Sequence, residues 1–128
     1  MKYIIDTKKT VDQAGHDLQD AVKEHGFGVL HSYNLKETLN SKGIDFPREC
    51  RIFEICNPKQ AAAVMTEDMD INMALPCRIS VWEGEDGAVK IGMISPKAML
   101  ESLSGSPVLQ DIAADVEEKM QDMIEAAK

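Results

Sequence analysis

Residues 75–94 read LPCRISVWEGEDGAVKIGMI, and this stretch decides the fold class. Two runs with alternating apolar residues, 77–83 and 88–94, flank a link rich in glycine and acidic residues. Such alternation predicts strands, and a short glycine-containing link between two strands predicts a hairpin. Because the strands of a hairpin run in opposite directions, at least part of the sheet must be antiparallel.

Three further strands are predicted upstream of the hairpin, at Tyr3–Thr7, Phe27–Tyr33 and Arg51–Cys56. Helix starts are marked by polar residues that can cap a first turn, and in several cases proline follows at the first helical position. These predicted caps are Thr10, Asn34, Asn57, Ser95 and Ser106. The elements therefore alternate as strand, helix, strand, short helix, strand, short helix, hairpin and helix.

The last predicted helix, residues 107–127, is long and amphipathic. One apolar stripe recurs at helical spacing, and acidic residues occupy the remainder of its surface. The stripe consists of Leu109, Ile112, Ala113, Val116, Met120, Met123, Ile124 and Ala127. We interpret this helix as packed on the sheet, with its acidic side in solvent.

Together these patterns predict a single α+β domain over residues 1–128, with a mainly antiparallel sheet and helices on one face. The other sheet face would then need cover. Ile52, Trp82 and Tyr33 are candidates for an apolar patch there. Such a patch favours a homodimer formed across the sheet or its edge.

Charge and cysteine content restrict the class of protein. A net charge of −8 argues against nucleic acid and against anionic membrane surfaces, since both require a basic face. No apolar run approaches the length of a membrane span, and the first residues, MKYIID, lack the apolar core of a secretory signal. The three cysteines are an odd number, and we expect a cytoplasmic protein with reduced thiols.

Several motifs together resemble the family called domain of unknown function 302. The matching elements are Asp45-Phe46-Pro47-Arg48, Arg51-Ile52, Cys56-Asn57-Pro58, Leu75-Pro76-Cys77-Arg78 and Pro96-Lys97-Ala98-Met99-Leu100. The resemblance covers about residues 1–103. It implies a fold similar to that of the TATA-binding protein, β-α-β₄-α, and a homodimer, but it implies no established activity.

Cys56 and Cys77 are the leading candidates for chemistry. One ends a predicted strand and the other begins the next, so antiparallel pairing would bring both to the same end of the sheet. A thiol pair there could bind a soft ligand or close a disulfide. Cys56 precedes the helix that begins at Asn57, whose dipole favours thiolate, and Arg78 could add to that field.

Strand parity points the other way. Cys77 is in step with Ile79 and Val81, which should face the core, whereas Glu54 suggests that Cys56 lies on the opposite face. Free cysteine is also among the most buried residue types. Both interpretations, a chemical pair and two packing residues, remain open at this point.

Three functions follow from these features. The first is binding of a small molecule or sulfur species near Cys56, Asn57, Cys77 and Arg78. The second is a non-catalytic protein-interaction module. The third and weakest is soft-metal handling by Met65, Met69 and Met73 with Cys77, which requires one continuous helix. The three histidines lack zinc-ligand spacing, and the sequence identifies neither a catalytic residue nor a cofactor.

Overall fold

The computed structural model describes residues 1–128 and contains five strands and five α-helices. In chain order they are β1 (Lys2–Thr7), α1 (Val11–Glu24), β2 (Gly28–Asn34), α2 (Leu35–Ser41), β3 (Cys50–Cys56), α3 (Pro58–Glu67), β4 (Cys77–Glu83), β5 (Val89–Ile94), α4 (Pro96–Leu103) and α5 (Pro107–Ala127). A 3₁₀ helix, Met69–Ala74, lies between α3 and β4.

The five strands form one sheet in the order β1-β5-β4-β3-β2, and every neighbouring pair is antiparallel. Strands β2 to β5 follow one another across the sheet, while β1 joins at the β5 edge. Because β1 and β2 occupy opposite edges, α1 must cross the sheet between them. The predicted α+β class with an antiparallel sheet is confirmed.

All five predicted helix starts are confirmed, and each has a side-chain cap. The side chains of the cap residues accept a hydrogen bond from the backbone N–H three residues later, which satisfies one of the free donors of the first turn. The caps are Thr10, Asn34, Asn57, Ser95 and Ser106. Proline occupies the first helical position of α3, α4 and α5.

Most of the core lies between one face of the sheet and two helices, α1 and α5. The strands contribute alternate residues, among them Phe53, Ile55, Ile79 and Ile91, which are all buried. Helix α5 contributes the C-terminal part of its apolar stripe, from Val116 to Ala127. The remaining residues of these strands face away from the helices, since successive side chains on a strand point to opposite faces.

A second, smaller cluster lies beyond the end of the sheet where β3 finishes and β4 begins. It brings together α3, the 3₁₀ helix, α4 and the first turns of α5, through Val64, Ile71, Leu100, Leu109 and Ala113. Helix α5 thus belongs to both clusters and joins them.

The opposite sheet face carries no helix from the main core. Register places Ile52 between Tyr33 and Ser80 on this face, with Trp82 two residues further along β4. Trp82 lies over Gly92, where an added Cβ would come within 2.9 Å of the indole. The predicted apolar patch is therefore present, while the homodimer that it favoured stays a prediction. We call this surface the open face.

No helix combines the length with the apolar character that crossing a membrane requires.

We expect Gly92→Ala to destabilise the protein by about 1–3 kcal/mol. The new methyl group would approach both the Trp82 ring and the backbone oxygen of Tyr3 to 2.9 Å, and the backbone cannot move aside as a side chain can. Urea denaturation followed by the fluorescence of Trp82, the single tryptophan, measures the change.

Gly28→Ala is the matched control, because Gly28 is also a strand glycine but nothing lies within 4 Å of its added Cβ. Equal unfolding free energies for the two variants would contradict the close approach of Trp82 to Gly92.

Candidate functional site

The cysteine pocket lies at the end of the sheet where β3 stops and β4 starts. Antiparallel pairing sets Ile55 opposite Cys77, so Cys56 is one residue beyond the last pair between β3 and β4, while it still pairs with Gly28 of β2. The chain then turns directly into α3, which is capped by Asn57. Cys56, Asn57 and Cys77 line one pocket, closed by residues of α3 and by Val116 of α5. We call it the cysteine pocket.

Its volume is about 50 Å³ and eight of its ten lining residues are apolar. A water molecule needs roughly 10–15 Å³ of such space, so the pocket has room for about three or four non-hydrogen atoms. The pocket can therefore hold a very small molecule or the terminal group of a larger one. Its apolar walls disfavour a charged occupant, because desolvation of an ion is costly.

Strand parity describes most of β3 and β4 correctly. Cys77 packs against the main core together with Ile79, and Glu54 lies on the open face opposite Arg78. The parity argument for separating the two cysteines does not keep them apart in space, however, because Cys56 is the last residue of its strand. Both cysteines are free and half-buried.

Burial governs the ionisation of Cys77. Burial, and to a smaller extent the neighbouring Cys56, raise the pKa of this thiol from 9.0 to about 11. Cys77 is thus a neutral thiol at physiological pH and a poor nucleophile. The expected role of Cys77 as a resolving thiol would require this barrier to ionisation to be overcome.

The side chain of Asn57 is engaged in capping α3. Its Oδ1 accepts a hydrogen bond from the backbone N–H of Gln60 at 3.2 Å, and its backbone oxygen accepts from Ala61. Pro58 has no N–H at all. The first turn of α3 therefore keeps few donors for an anion, so the helix start at Asn57 is weaker as an anion site than the dipole alone suggested.

Gln60 provides a polar group that the sequence did not single out. Its Nε2 donates to Asp115 of α5, and Lys119 also bonds Asp115, at 2.9 Å. Because a carboxylate only accepts, this contact fixes which way the Gln60 amide faces. Its Oε1 is buried without a hydrogen-bond partner, and Gln60 lines the cysteine pocket. The pocket thus contains thiols, apolar walls and a residue with one unsatisfied acceptor.

Arg78 does not line the cysteine pocket. It lies on the open face, where its guanidinium is 3.4 Å from Oε2 of Glu54. Glu54 is buried although charged, and its Oε1 accepts a 2.6 Å hydrogen bond from the Tyr33 hydroxyl. The ring of His31 lies edge-on to that of Tyr33, with centroids 4.5 Å apart. Apart from the expected position of Glu54 on the outer face, no sequence pattern indicated this cluster.

The methionines proposed for soft-metal handling do not form a stripe. Helix α3 ends at Glu67 and a 3₁₀ helix begins at Met69. Met69 and Met73 are largely exposed, at 63% and 82%. The continuous helix that this hypothesis required is therefore absent, and no group of three or more histidine, cysteine or acidic side chains is arranged to hold a metal ion.

We expect Cys77 to resist alkylation by iodoacetamide at pH 8 in the folded protein. Raising its pKa from 9.0 to about 11 lowers the thiolate fraction by about 100-fold, and the rate of labelling follows that fraction. Peptide mass spectrometry after timed labelling gives the rate for each cysteine separately.

The same labelling in denaturant provides the reference rate for Cys77. Equal rates in the folded and unfolded protein at pH 8 would show that the thiol is neither buried nor suppressed.

We expect Glu54→Gln to lower the pKa of Tyr33. The phenol donates to the Glu54 carboxylate, and ionisation would break that bond and place two negative charges together, so the pKa of Tyr33 is raised in the native protein. The pKa of Tyr3 is raised in the same way by its hydrogen bond to Glu125. Tyrosinate absorbance against pH then reports two phenols.

Glu125→Gln is the matched variant, which should move the other phenol only. If Glu54→Gln left both transitions where they are in the native protein, the Tyr33–Glu54 bond would be refuted.

Comparison with known proteins identifies a family but no activity. The family model described as domain of unknown function DUF302 matches residues 3–127, which extends past the 1–103 region where the sequence motifs lie. The crystal structure of an uncharacterized conserved DUF302 protein from Bacillus stearothermophilus is similar, with 32% sequence identity and a TM-score of 0.92, covering 99% of this chain and 98% of that one. No curated protein matches the sequence. The chain belongs to the DUF302 family.

Proposed function

We propose that this protein binds a small, uncharged, sulfur-containing molecule, such as hydrogen sulfide or a low-molecular-weight thiol, in the cysteine pocket. One observation carries the proposal: Cys56, Cys77 and the incompletely bonded Gln60 line the same apolar pocket.

The walls favour a neutral and polarisable occupant. Cys77 is un-ionised at physiological pH, and thiols behave as small hydrophobic groups with weak hydrogen-bonding ability. Asn57 has its side chain engaged as a cap, and the first turn of α3 offers little to an anion. A neutral sulfur compound loses little hydration on entering such a pocket, whereas a charged one would lose much.

The unsatisfied Oε1 of Gln60 favours an occupant that donates a hydrogen bond. A buried acceptor without a partner costs about 1–3 kcal/mol, and a donor supplied by the ligand would recover that cost on binding. The S–H group of a thiol is a weak donor that suits a small pocket. Gln60 would then orient the ligand with its sulfur against the two cysteines.

We expect ethanethiol to produce saturable chemical-shift changes at the amides of Cys56 and Ala61 in nuclear magnetic resonance spectra. Ala61 lines the pocket, and Ala61→Leu should abolish the saturable component because the larger side chain fills a space of about 50 Å³. Ala63→Leu is the matched control, since Ala63 lies exposed on the same helix. Ethanol should bind more weakly than ethanethiol, because its hydroxyl loses more hydration than a thiol on entering the apolar pocket.

Gln60→Met should weaken ethanethiol binding by about tenfold, because one hydrogen bond to a buried acceptor is lost. Asp115→Asn keeps an acceptor for the Gln60 amide and should bind as the native protein does. Saturable binding to Ala61→Leu at native affinity, or none to the native protein, would refute the proposal.

A further inference from the structure

We propose that the open face holds a second binding site, for an apolar molecule that carries an anionic head group. The site is a groove of about 610 Å³ over β4, β5 and β1, which continues past the sheet end to α4. Its volume lies within the range of small-molecule sites in proteins. We call it the open-face groove.

The charge of the groove is opposite to that of the protein. The chain has 22 acidic residues and 14 basic ones. Among the seventeen residues that line the groove, however, Lys2 and Arg78 are the only charged ones, and no carboxylate lines it. A cationic groove on an acidic protein concentrates anions at one place on its surface.

Register brings the two cations to the same level of the sheet. Lys2 of β1 pairs with Ile94 of β5. Ser80 of β4 pairs with Gly92, so Arg78 comes level with Ile94 from the other side. The two cations are therefore separated by one strand, about 10 Å between their backbones. Their long side chains can converge on a single anionic group above Ile94.

The neighbouring basic side chain is already neutralised. Lys90, on the same face of β5, is 2.8 Å from Asp6 and 3.9 Å from Asp86. Lys2, by contrast, forms no ion pair or side-chain hydrogen bond. Arg78 is bound only to Glu54, through one long contact of 3.4 Å, and its side chain is 64% exposed. The level of Lys2 and Arg78 is thus where a ligand's negative charge would be stabilised.

Apolar surface extends from this level in both directions. Towards the C-terminal end of β4 lie Trp82, which packs over Gly92, and Ile4 beside it. Towards the sheet end lie Met73 and Met99. The indole offers a flat surface for an aromatic ring, and methionine adapts to ligands of varied shape. Hydrophobic contact would supply affinity, and the cations would select for an anionic head.

This site does not rest on the cysteine pocket. The two cavities share Leu75 and Cys77 as walls, but the cations, the tryptophan and the isoleucines of the groove do not line the pocket. Filling the pocket by Ala61→Leu should therefore leave the groove intact, so the two proposals can fail separately.

Two fluorescent probes of similar shape test the proposal on the full chain. We expect 8-anilinonaphthalene-1-sulfonate, an apolar ring system with an anionic group, to bind at one site and to quench Trp82 by energy transfer. Its uncharged analogue N-phenyl-1-naphthylamine should bind more weakly. Decanoate should displace the anionic probe, and decanol should do so less well.

Charge-removing variants show whether the cations are responsible. Lys2→Met and Arg78→Met should each lower the affinity for the anionic probe by about threefold to tenfold and leave the affinity for the neutral probe unchanged. Lys59→Met, an exposed residue of α3 outside the groove, is the control and should change neither. Added salt should weaken the anionic probe only.

Three results would overturn the proposal. One is the absence of saturable binding of the anionic probe, and another is equal affinity in the native, Lys2→Met and Arg78→Met proteins. The third would come from sedimentation experiments in which binding of the anionic probe competes with self-association and the associated protein carries no probe. A second copy of the chain would then be the occupant of the open face.

Discussion

The packing of α5 is the constraint on which the rest of the structure depends. This helix has 21 residues, which corresponds to about 31 Å of length. Its C-terminal part covers the sheet beside α1, and its first turns hold α3, the 3₁₀ helix and α4 beyond the end of the sheet. Because one rigid helix belongs to both clusters, the position of α5 on the sheet fixes the position of α3 relative to the strands. Val116, where the two parts of α5 meet, lines the cysteine pocket.

One-sided cover of the sheet determines where binding surfaces can form. With α1 and α5 on one face, every second residue of the strands is left on the other, and that face must be polar, occupied or exposed. Different parts of this face have different charge environments. Lys90 pairs with Asp6, and Glu54 is covered by Tyr33 at the β2 edge. Arg78 and Lys2, at the end of the sheet where β4 begins, line the open-face groove. The acidic excess lies elsewhere, largely on helices in solvent.

Local features of the fold were predictable because their causes are local. A cap at Asn57 with proline behind it specifies a helix start whatever the chain does later, and the same holds for Ser95 and Ser106. The hairpin of β4 and β5 likewise follows from alternation and a glycine-rich link. These features fixed the number, order and bounds of most elements without knowledge of tertiary contacts.

Features that depend on long-range register were not accessible in this way. The ladder between β2 and β3 shifts between Val29 and His31, where one extra residue is inserted. Because of this bulge, Val29 faces the helices while His31 and Tyr33 face the open side, and Tyr33 reaches Glu54. Simple alternation from Val29 would place Tyr33 in the core, so the bulge, which the sequence does not reveal, is the reason that the expected position of Tyr33 on the open face is correct. The contact of Gln60 with Asp115 of α5 was inaccessible for the same reason, since these two residues are 55 positions apart.

The two cysteines show how the position of a strand end decides the environment of a side chain. Antiparallel connection required Cys56 and Cys77 to be at the same end of the sheet, and alternation required neighbours in register to share a face. Cys77 is in register with Ile55, so Cys56 has no partner on β4 and pairs only with Gly28 of β2. The cap at Asn57 is what stops the strand there. Because β4 does not continue opposite Cys56, both thiols line one pocket although alternation assigns them to opposite faces.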